Sequence, residues 1–286
     1  MITSTVPAAV AVIGGGRMGS GIAQTFAIAG ARVAVVESDA AAASAAEARI
    51  SASLARAAER GKLAGDPREV SDRLAVVPEL AQLPGDVELV VEAVPEDAAT
   101  KVEVLTGAER VLGADAVLAT NTSSLSIAEL SAALRHPARF LGMHFFNPVP
   151  SSLLVELVSG PETSDVVLGG ARDWVRGLGK TEVRVRDSPG FATSRLGVLL
   201  GLEAIRMLEE GVADAASVDT AVELGYRHPM GPLRSTDLVG LDVRLAIAEH
   251  LHATLGERFA PPRLLREKVE RGELGRKTGR GFHDWT

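Results

Sequence analysis

The sequence predicts an α/β fold over residues 1–186 followed by an all-helical domain over residues 187–286. Three observations carry this. In the first part, short β-branched runs alternate with longer Ala- and Leu-rich stretches, the pattern of parallel strands joined by crossover helices. Those runs are almost continuously apolar, as strands covered by helices on both faces must be. After Asp187 a proline opens a stretch of helical periodicity, and no convincing strand follows.

Taken in order, AAVAVIG, ARVAVVE, RLAVVP, VELVVEA, DAVLATN and RFLGMHF read as successive strands. Between them the spacing predicts helices over 17–30, 39–61 and 97–112, and a shorter one from Ser126, whose hydroxyl is placed to cap IAELSAAL. LLVELV at 153–158 and TEVRVR at 181–186 are read as extending the sheet, with a helix over 164–178 between them. Beyond Asp187, SPGFATSRLGVLLGLEAIRMLEEG runs as one helix to a stop at Gly211. Its LGVLLGLEAIRML portion is apolar on almost every face, which predicts burial by more than one neighbour, a second subunit included. VADAASVDTAVELG, PLRSTDLVGLDVRLAIAEHLHATLG and PPRLLREKVERG read as further helices.

Composition narrows the function. Across 286 residues, 46% hydrophobic and 23% charged residues are the balance of an ordinary water-soluble globular chain of two domains. A net charge of −7 gives no overall basic field for nucleic acid or an anionic membrane, although a local cluster of basic residues can still hold a phosphate-bearing ligand. The absence of cysteine excludes disulfides, thiolate metal sites and cysteine nucleophiles, and it fits a reducing, cytoplasmic setting; no metal site is expected. The opening MITSTVPAAVAVIGGG lacks a basic n-region and reaches its glycines too soon for a signal peptide or a membrane span.

Gly14, Gly16 and Gly19 form G-x-G-x-x-G directly after a strand and directly before a helix, with Arg17 and Met18 inside the motif. Glycines there permit a tight turn and close approach of a pyrophosphate, whose charge then faces the helix N-terminus. Glu37 ends the second strand about twenty residues on, where a carboxylate can bind both ribose hydroxyls. Ser38 and Asp39 follow, with no arginine to pair a 2′-phosphate, so the reading is a Rossmann-type dinucleotide-binding domain that prefers NAD to NADP. A solvated carboxylate at a strand end is the plain alternative for Glu37.

Between residues 119 and 156 the polar residues become concentrated, in ATNTSSLS and then GMHFFNPVPSSLLVELV. With GGGRMGSGIAQ, VVEAVPED, DSPGF, HPMGP and GRKTGRGF, these segments resemble the short-chain 3-hydroxyacyl-CoA dehydrogenases, 3-hydroxybutyryl-CoA dehydrogenase-like members included, from about residue 8 to the C-terminus. The residue types suit that chemistry independently. Oxidising a secondary alcohol needs a base for the hydroxyl proton while hydride departs, and a carboxylate on the second ring nitrogen orients a histidine for the task. By resemblance His144 is the base, Glu156 its orienter, and Ser123 a hydrogen-bonding partner of the reacting oxygen near the nicotinamide. A histidine in an apolar strand is often a satisfied core residue, and the HFFNP context weighs against that reading for His144. Glu156 within LLVELV requires a positive partner, since a lone buried carboxylate is costly. His136, His228, His250, His252 and His283 have no comparable claim, and the turn containing His228 is read as structural.

The resemblance further implies cofactor contacts at Glu37, Glu96, Lys101, Ser123, Asn147 and Lys277, the last implying a C-terminal tail folded back over the nucleotide domain. Its coenzyme A contacts fall on Ser53 and Arg60, with Arg56 and Lys62 nearby to meet a phosphate; a solvated helix face accounts for the same charges. Ser123, Asn147 and Ser194 complete the implied substrate contacts, in a cleft between the two domains. The pattern departs from the family in two places. Ser194 stands where the family usually has asparagine, and Ser151, Ser152 and Leu153-Leu154 replace an apolar-Met-Lys run. The expectation is an NAD-dependent interconversion of a 3-hydroxyacyl thioester and its 3-oxoacyl thioester by a homodimer. Its rivals are a relative acting on a polar, glyceryl-type thioester of an acyl carrier protein or on a free hydroxy acid, and a non-catalytic NAD-binding structural protein, against which the His144–Glu156 pair argues.

Overall fold

The structure, a computed structural model, describes residues 6–61, 63 and 66–285. The chain divides into two compact units, with the division after Asp187. Lys62 lies outside the described residues.

In the first unit the strands are β1 (Ala9–Ile13), β2 (Arg32–Val36), β3 (Leu74–Val77), β4 (Leu89–Glu92), β5 (Val117–Thr120), β6 (Phe140–Phe145), β7 (Leu154–Ser159) and β8 (Thr181–Arg186). Its helices are α1 (Arg17–Ile28), α2 (Ala40–Glu59), α3 (Pro67–Ser71), α4 (Ala98–Val111), α5 (Ile127–Ser131) and α6 (Asp165–Gly177). The short α3 was not anticipated from the sequence; Asp66 caps it by accepting from the Arg68 N–H, and Pro67 occupies its first turn. The strands form one eight-stranded sheet in the order β3-β2-β1-β4-β5-β6-β7-β8. All neighbours run parallel except β6 and β7, which pair antiparallel. The reversal follows from the short connection after β6: eight residues, 146–153, cannot make the crossover that a parallel partner requires.

The central strands are buried from end to end, and α1 packs Ile22, Ala23 and Phe26 onto them with the valines of β1 and β2. Several helices start on capping side chains: Asp39, Asp97, Ser126 and Ser164 each accept an N–H two or three residues into the first turn. The sheet order reverses between β1 and β4. The crevice beyond the C-terminal ends of those strands is therefore where an open α/β sheet receives its ligand.

The second unit contains α7 (Thr193–Glu209), α8 (Ala215–Gly225), α9 (Pro232–Val239), α10 (Leu241–Leu255) and α11 (Arg263–Glu270). Where the sequence reads as one helix over 232–256, the structure has two, because Gly240 at φ +104° ends α9 and turns the chain into α10. The apolar periodicity runs on across that break, which hides it. Val198, Leu202, Ile205, Leu233, Leu241, Leu251 and Phe259 form the core. Among the described residues no helix is long and apolar enough to cross a membrane.

Two buried carboxylates organise the motifs at the C-terminus. Asp237 accepts from the Phe282 and His283 N–H groups and from the Trp285 ring N–H, at 2.8, 2.8 and 2.9 Å. Asp219 accepts from the Leu233 and Arg234 N–H groups and meets the His283 ring at 2.7 Å. HPMGP and GRGF are thus the backbone segments that wrap these two side chains. A Cβ on Gly231 would lie 2.2 Å from Asp219, and one on Gly281 2.1 Å from the Asp237 carboxylate. Asp237→Ala orphans three donors together and is expected to cost about 2–4 kcal/mol. Urea denaturation measures this, with faster trypsin cleavage at Arg280 as the local readout; an unchanged midpoint would show that the tail is held by other contacts.

Candidate active site

The turn from β1 into α1 is built by its glycines, and they do different things. Gly14 adopts φ +93°, and a Cβ there would sit 2.9 Å from the Ala93 carbonyl oxygen. At Gly19 a Cβ would come within 1.7 Å of the Gly14 carbonyl oxygen, so helix and strand meet backbone to backbone. Gly16 is unlike both: its φ is −60°, and a Cβ would meet nothing within 4 Å. The fold does not need a glycine there, and its absent Cβ leaves the first turn of α1 open to close approach. Gly16 is the N-cap without a side-chain hydrogen bond, and no acidic residue occupies the first turn, so the helix presents its N–H groups and dipole outward.

Beside this turn lies a cavity of about 680 Å³ whose lining includes Gly14, Gly16, Arg17, Met18 and Glu37. Glu37 accepts from the Gly15 N–H at 2.6 Å, which fixes its carboxylate at the end of β2. The open space over Gly16, the N–H donors of the first turn and the Glu37 carboxylate in the same lining fit a dinucleotide. Ser38, the next residue, lines the same cavity and brings no positive charge to it.

At the end of β4 an ionic network, buried at Lys101 and Glu92, sets the neighbouring loop. Lys101 on α4 is 1% exposed, and its amine reaches Glu92 at 2.7 Å, Glu96 at 3.2 Å and the Val94 carbonyl at 3.3 Å. Glu92, fully buried, also accepts from the Thr120 hydroxyl at 2.6 Å. Glu96 in turn accepts from the Thr122 and Ser124 hydroxyls and from the Ser123 and Ser124 N–H groups. Burial pulls the Glu96 carboxyl upward, but the Thr122 hydroxyl, the Lys101 charge and the Ser123 N–H outweigh it and hold the group below its ordinary range. Within these contacts Lys101 acts by holding Glu96, and Glu96 by holding the backbone of Ser123. Sequence reasoning missed Glu92, although a carboxylate inside the apolar run VELVVEA carries the same signal that singled out Glu156.

His144 and Glu156 face each other directly across the antiparallel β6–β7 pair, with His144 Nδ1 2.8 Å from Glu156 Oε2. The histidine is 6% exposed and the glutamate 0%. A carboxylate accepts from Nδ1–H, which makes Nε2 the basic nitrogen. The Phe146 ring lies against the imidazole at 4.3 Å, and Asn121, just beyond β5, accepts from the Phe145 N–H at 2.9 Å. The Ser123 loop and His144 therefore leave adjacent parallel strands at the same edge of the sheet.

The turn after β6 is held from beneath. Lys180, buried just before β8, donates to the carbonyl oxygens of Val149 at 2.7 Å and Ser152 at 2.5 Å, and burial lowers its pKa. This fixes Asn147 and the exposed Ser151 on a set turn. A second cavity, about 490 Å³, is lined by Arg17, Gln24, Arg49, Ser53 and Arg56 together with Asn147 to Pro150. Gln24 is 1% exposed, and its Nε2 has no hydrogen-bond partner. Of the expected coenzyme A contacts, Ser53 lies in this lining; Arg60 is exposed at the C-cap of α2, outside it. In the helical unit, Ser194 occupies the first turn of α7, half-buried, and Lys277 pairs with Asp242 at 2.6 Å. Among the described residues no group of three or more His, Asp or Glu side chains is placed to hold a metal ion.

A doubly wound sheet with an open glycine turn at its switch point, and a buried His–Glu pair at the same edge, defines an NAD-dependent oxidoreductase. The chain belongs to the 3-hydroxyacyl-CoA dehydrogenase family: it matches that family's NAD binding domain over residues 9–188 and its C-terminal domain over residues 190–285. It is 45% identical over 280 residues to a 3-hydroxybutyryl-CoA dehydrogenase of Mycobacterium tuberculosis, covering 96% of this chain and 98% of that one. A probable 3-hydroxybutyryl-CoA dehydrogenase of Bacillus subtilis is 41% identical over 278 residues, 96% of each chain. The crystal structure of (S)-3-hydroxybutyryl-CoA dehydrogenase from Ralstonia eutropha superimposes with a TM-score of 0.93 at 37% identity, covering 98% of this chain and 99% of that one.

The two glycines should separate by mutation. Gly19→Ala is expected to unfold or strongly destabilise the domain, whereas Gly16→Ala should leave the thermal midpoint near wild type and weaken NADH binding tenfold or more, about 1.4 kcal/mol. Fluorescence titration reads the binding, and equal NADH affinity in folded Gly16→Ala would show that no phosphate passes there. The same titration should show NADH bound more tightly than NADPH, with the preference reduced in Glu37→Ala.

Proposed function

We propose that this protein interconverts a 3-hydroxyacyl thioester and the 3-oxoacyl thioester, with His144 as the general base and Glu156 as its orienting carboxylate. The observation that carries the reading is the buried 2.8 Å Nδ1–carboxylate contact at the edge of the sheet where the dinucleotide turn opens. NAD, held against Gly16 and Glu37, supplies the hydride acceptor. His144 Nε2 takes the proton of the substrate hydroxyl, and the imidazolium so formed is stabilised by Glu156, buried beside it. The Ser123 hydroxyl, on a loop pinned by Glu96, donates to the same substrate oxygen. Ser53, Arg49 and Arg56 of the second cavity offer hydroxyl and guanidinium donors to the phosphorylated arm of the carrier. The active species is read as a homodimer formed through the helical unit, because α7 leaves Leu196, Leu199 and Leu200 exposed.

A second reading concerns the acyl group. Ser194 replaces an amide with a shorter hydroxyl, and Ser151 and Ser152 add hydroxyls to the turn beside His144, which favours a more polar acyl group on coenzyme A or on a carrier protein over plain 3-hydroxybutyryl-CoA. A substrate positioned by the missing amide would lose about 1–3 kcal/mol. NADH formation from hydroxyacyl thioesters of coenzyme A and of acyl carrier protein, and from the free acids, separates the readings. If Ser194→Asn leaves acetoacetyl-CoA reduction unchanged and already fast, the acyl pocket has not diverged.

His144→Ala is expected to lower kcat by about two to four orders of magnitude with NADH affinity nearly unchanged. Glu156→Gln should lower it less and alter the pH–rate profile, since the base survives without its charged partner. A kcat within tenfold of wild type in His144→Ala would remove this histidine from the mechanism.

A further inference from the structure

Gly15, the middle residue of the glycine turn, is held at both ends. Its N–H donates to Glu37 Oε1 at 2.6 Å, and its carbonyl oxygen accepts from Ser20 Oγ at 2.6 Å and from Arg49 Nη1 at 2.9 Å, which uses both lone pairs. Helix α2 sits directly on it: a Cβ on Gly15 would lie 2.6 Å from the Ala46 Cβ and 3.0 Å from Glu37 Oε1. Arg49 is one turn further along the same face of α2, and Ser53 and Arg56 continue that face at spacings of four and three residues. One face of one helix therefore touches the dinucleotide turn and, further along, lines the second cavity.

That cavity is built for an anion. Its lining holds Arg17, Arg49 and Arg56 and, among the described residues, no Asp or Glu, in a chain whose net charge is −7. Gln24, buried in the same lining, has an Nε2 without a partner, a donor left for a carbonyl of the ligand. Arg17 alone among the described residues also lines the dinucleotide cavity, so the two cavities meet at the first residue of α1. Arg49 is exposed, and its bond to Gly15 occupies only part of a planar fork of donors, which leaves N–H groups for an anion without giving up the turn. Ordering a long exposed side chain costs rotamer entropy. The first ligand that fixes it bears that cost, and a second ligand relying on the same side chain does not.

We propose that Arg49 couples the two cavities. A phosphate-bearing ligand in the second cavity clamps its guanidinium, stiffens the Gly15 turn with the Glu37 carboxylate bonded to it, and thereby tightens dinucleotide binding. The inference rests on the reading above that the second cavity takes the phosphorylated arm of the carrier, and it makes Arg49 a positioning residue for the cofactor. Linkage requires the effect to be mutual, each ligand raising the affinity of the other by the same factor.

The test measures Kd for NADH on the full chain by fluorescence titration, without and with saturating pantetheine 4′-phosphate. That probe carries phosphate and amide groups but no adenine to compete for the dinucleotide cavity. In wild type it should tighten NADH roughly three- to tenfold, and calorimetry should show NADH tightening the probe by the same factor. In Arg49→Met the factor should fall to one while NADH alone still binds. Arg56→Met is the control: Arg56 lines the same cavity, and no hydrogen bond among the described residues joins it to the turn. It should weaken the probe yet keep the full factor once the probe saturates. Disturbed packing around α2 would lower NADH affinity in both titrations alike and leave their ratio unmoved. A factor of one in wild type, a factor that survives Arg49→Met, or a probe that weakens NADH overturns the coupling and leaves the carrier reading in place. A probe that does not bind, or that binds equally well when Arg49→Met and Arg56→Met are combined, overturns both.

Discussion

A fully buried glutamate in the middle of a sheet constrains this protein more than any other single side chain. Glu156 has apolar neighbours on its own strand, Val155 and Leu157, and its burial is tolerable because His144 stands opposite it at hydrogen-bond distance. That meeting depends on register. Side chains alternate across a sheet, so a slip of one residue between β6 and β7 would send Glu156 and His144 to opposite faces and leave each in apolar surroundings. The antiparallel turn between the strands therefore has to be exact in length, and the Lys180 ammonium beneath it, bonded to two of its carbonyl oxygens, ties that turn to the start of β8. His144, Glu156 and the turn carrying Asn147 are thus parts of one register.

The same logic operates one strand pair away with the charges reversed. Lys101, Glu92 and Glu96 form an ionic triad in which the buried lysine lies between a buried and an exposed carboxylate, and Thr120 and Thr122 satisfy further lone pairs. Breaking such a group by removing one member leaves a buried charge uncompensated, which costs far more than the intact network contributes. Its value lies in placement: Glu96 gathers four donors from residues 122–124, so the loop bearing Ser123 has little freedom about the sheet edge. Two ionic clusters, on β4 and on β6–β7, flank the loop after β5 that carries Ser123.

How much of this was legible in the sequence depends on whether a residue's role is local or distributed. The strands were readable because valine-rich runs buried on both faces have no other economical structure, and the glycine turn because its spacing is set by backbone sterics. His144 and Glu156 were readable through their motif and through the cost of a lone buried carboxylate. Glu92 obeys the same cost argument and was passed over because its partner, nine residues on, lies in a segment that reads as an ordinary amphipathic helix. Lys180 gave no signal at all, since a lysine before a strand usually points to water and only the tertiary fold turns it under the Val149 carbonyl. Gly240 was hidden by the periodicity that continues across it.

These differences also explain why the reaction class is easier to read than the substrate. The proposed catalytic residues sit on strand ends and are held by buried pairs that cannot be altered singly without a large loss of stability. The expected substrate contacts Ser53 and Ser194, and the serines Ser151 and Ser152 that depart from the family pattern, belong to a turn and to helix surfaces that are exposed or half-buried and bonded to little else. Replacing one of them disturbs no buried charge, so such positions can drift while the catalytic register stays fixed. A serine where an amide is usual is therefore no argument against the proposed chemistry when the Glu92–Lys101–Glu96 and His144–Glu156 networks are both complete; on the proposed reading it is the kind of change by which one frame comes to accept a different acyl group.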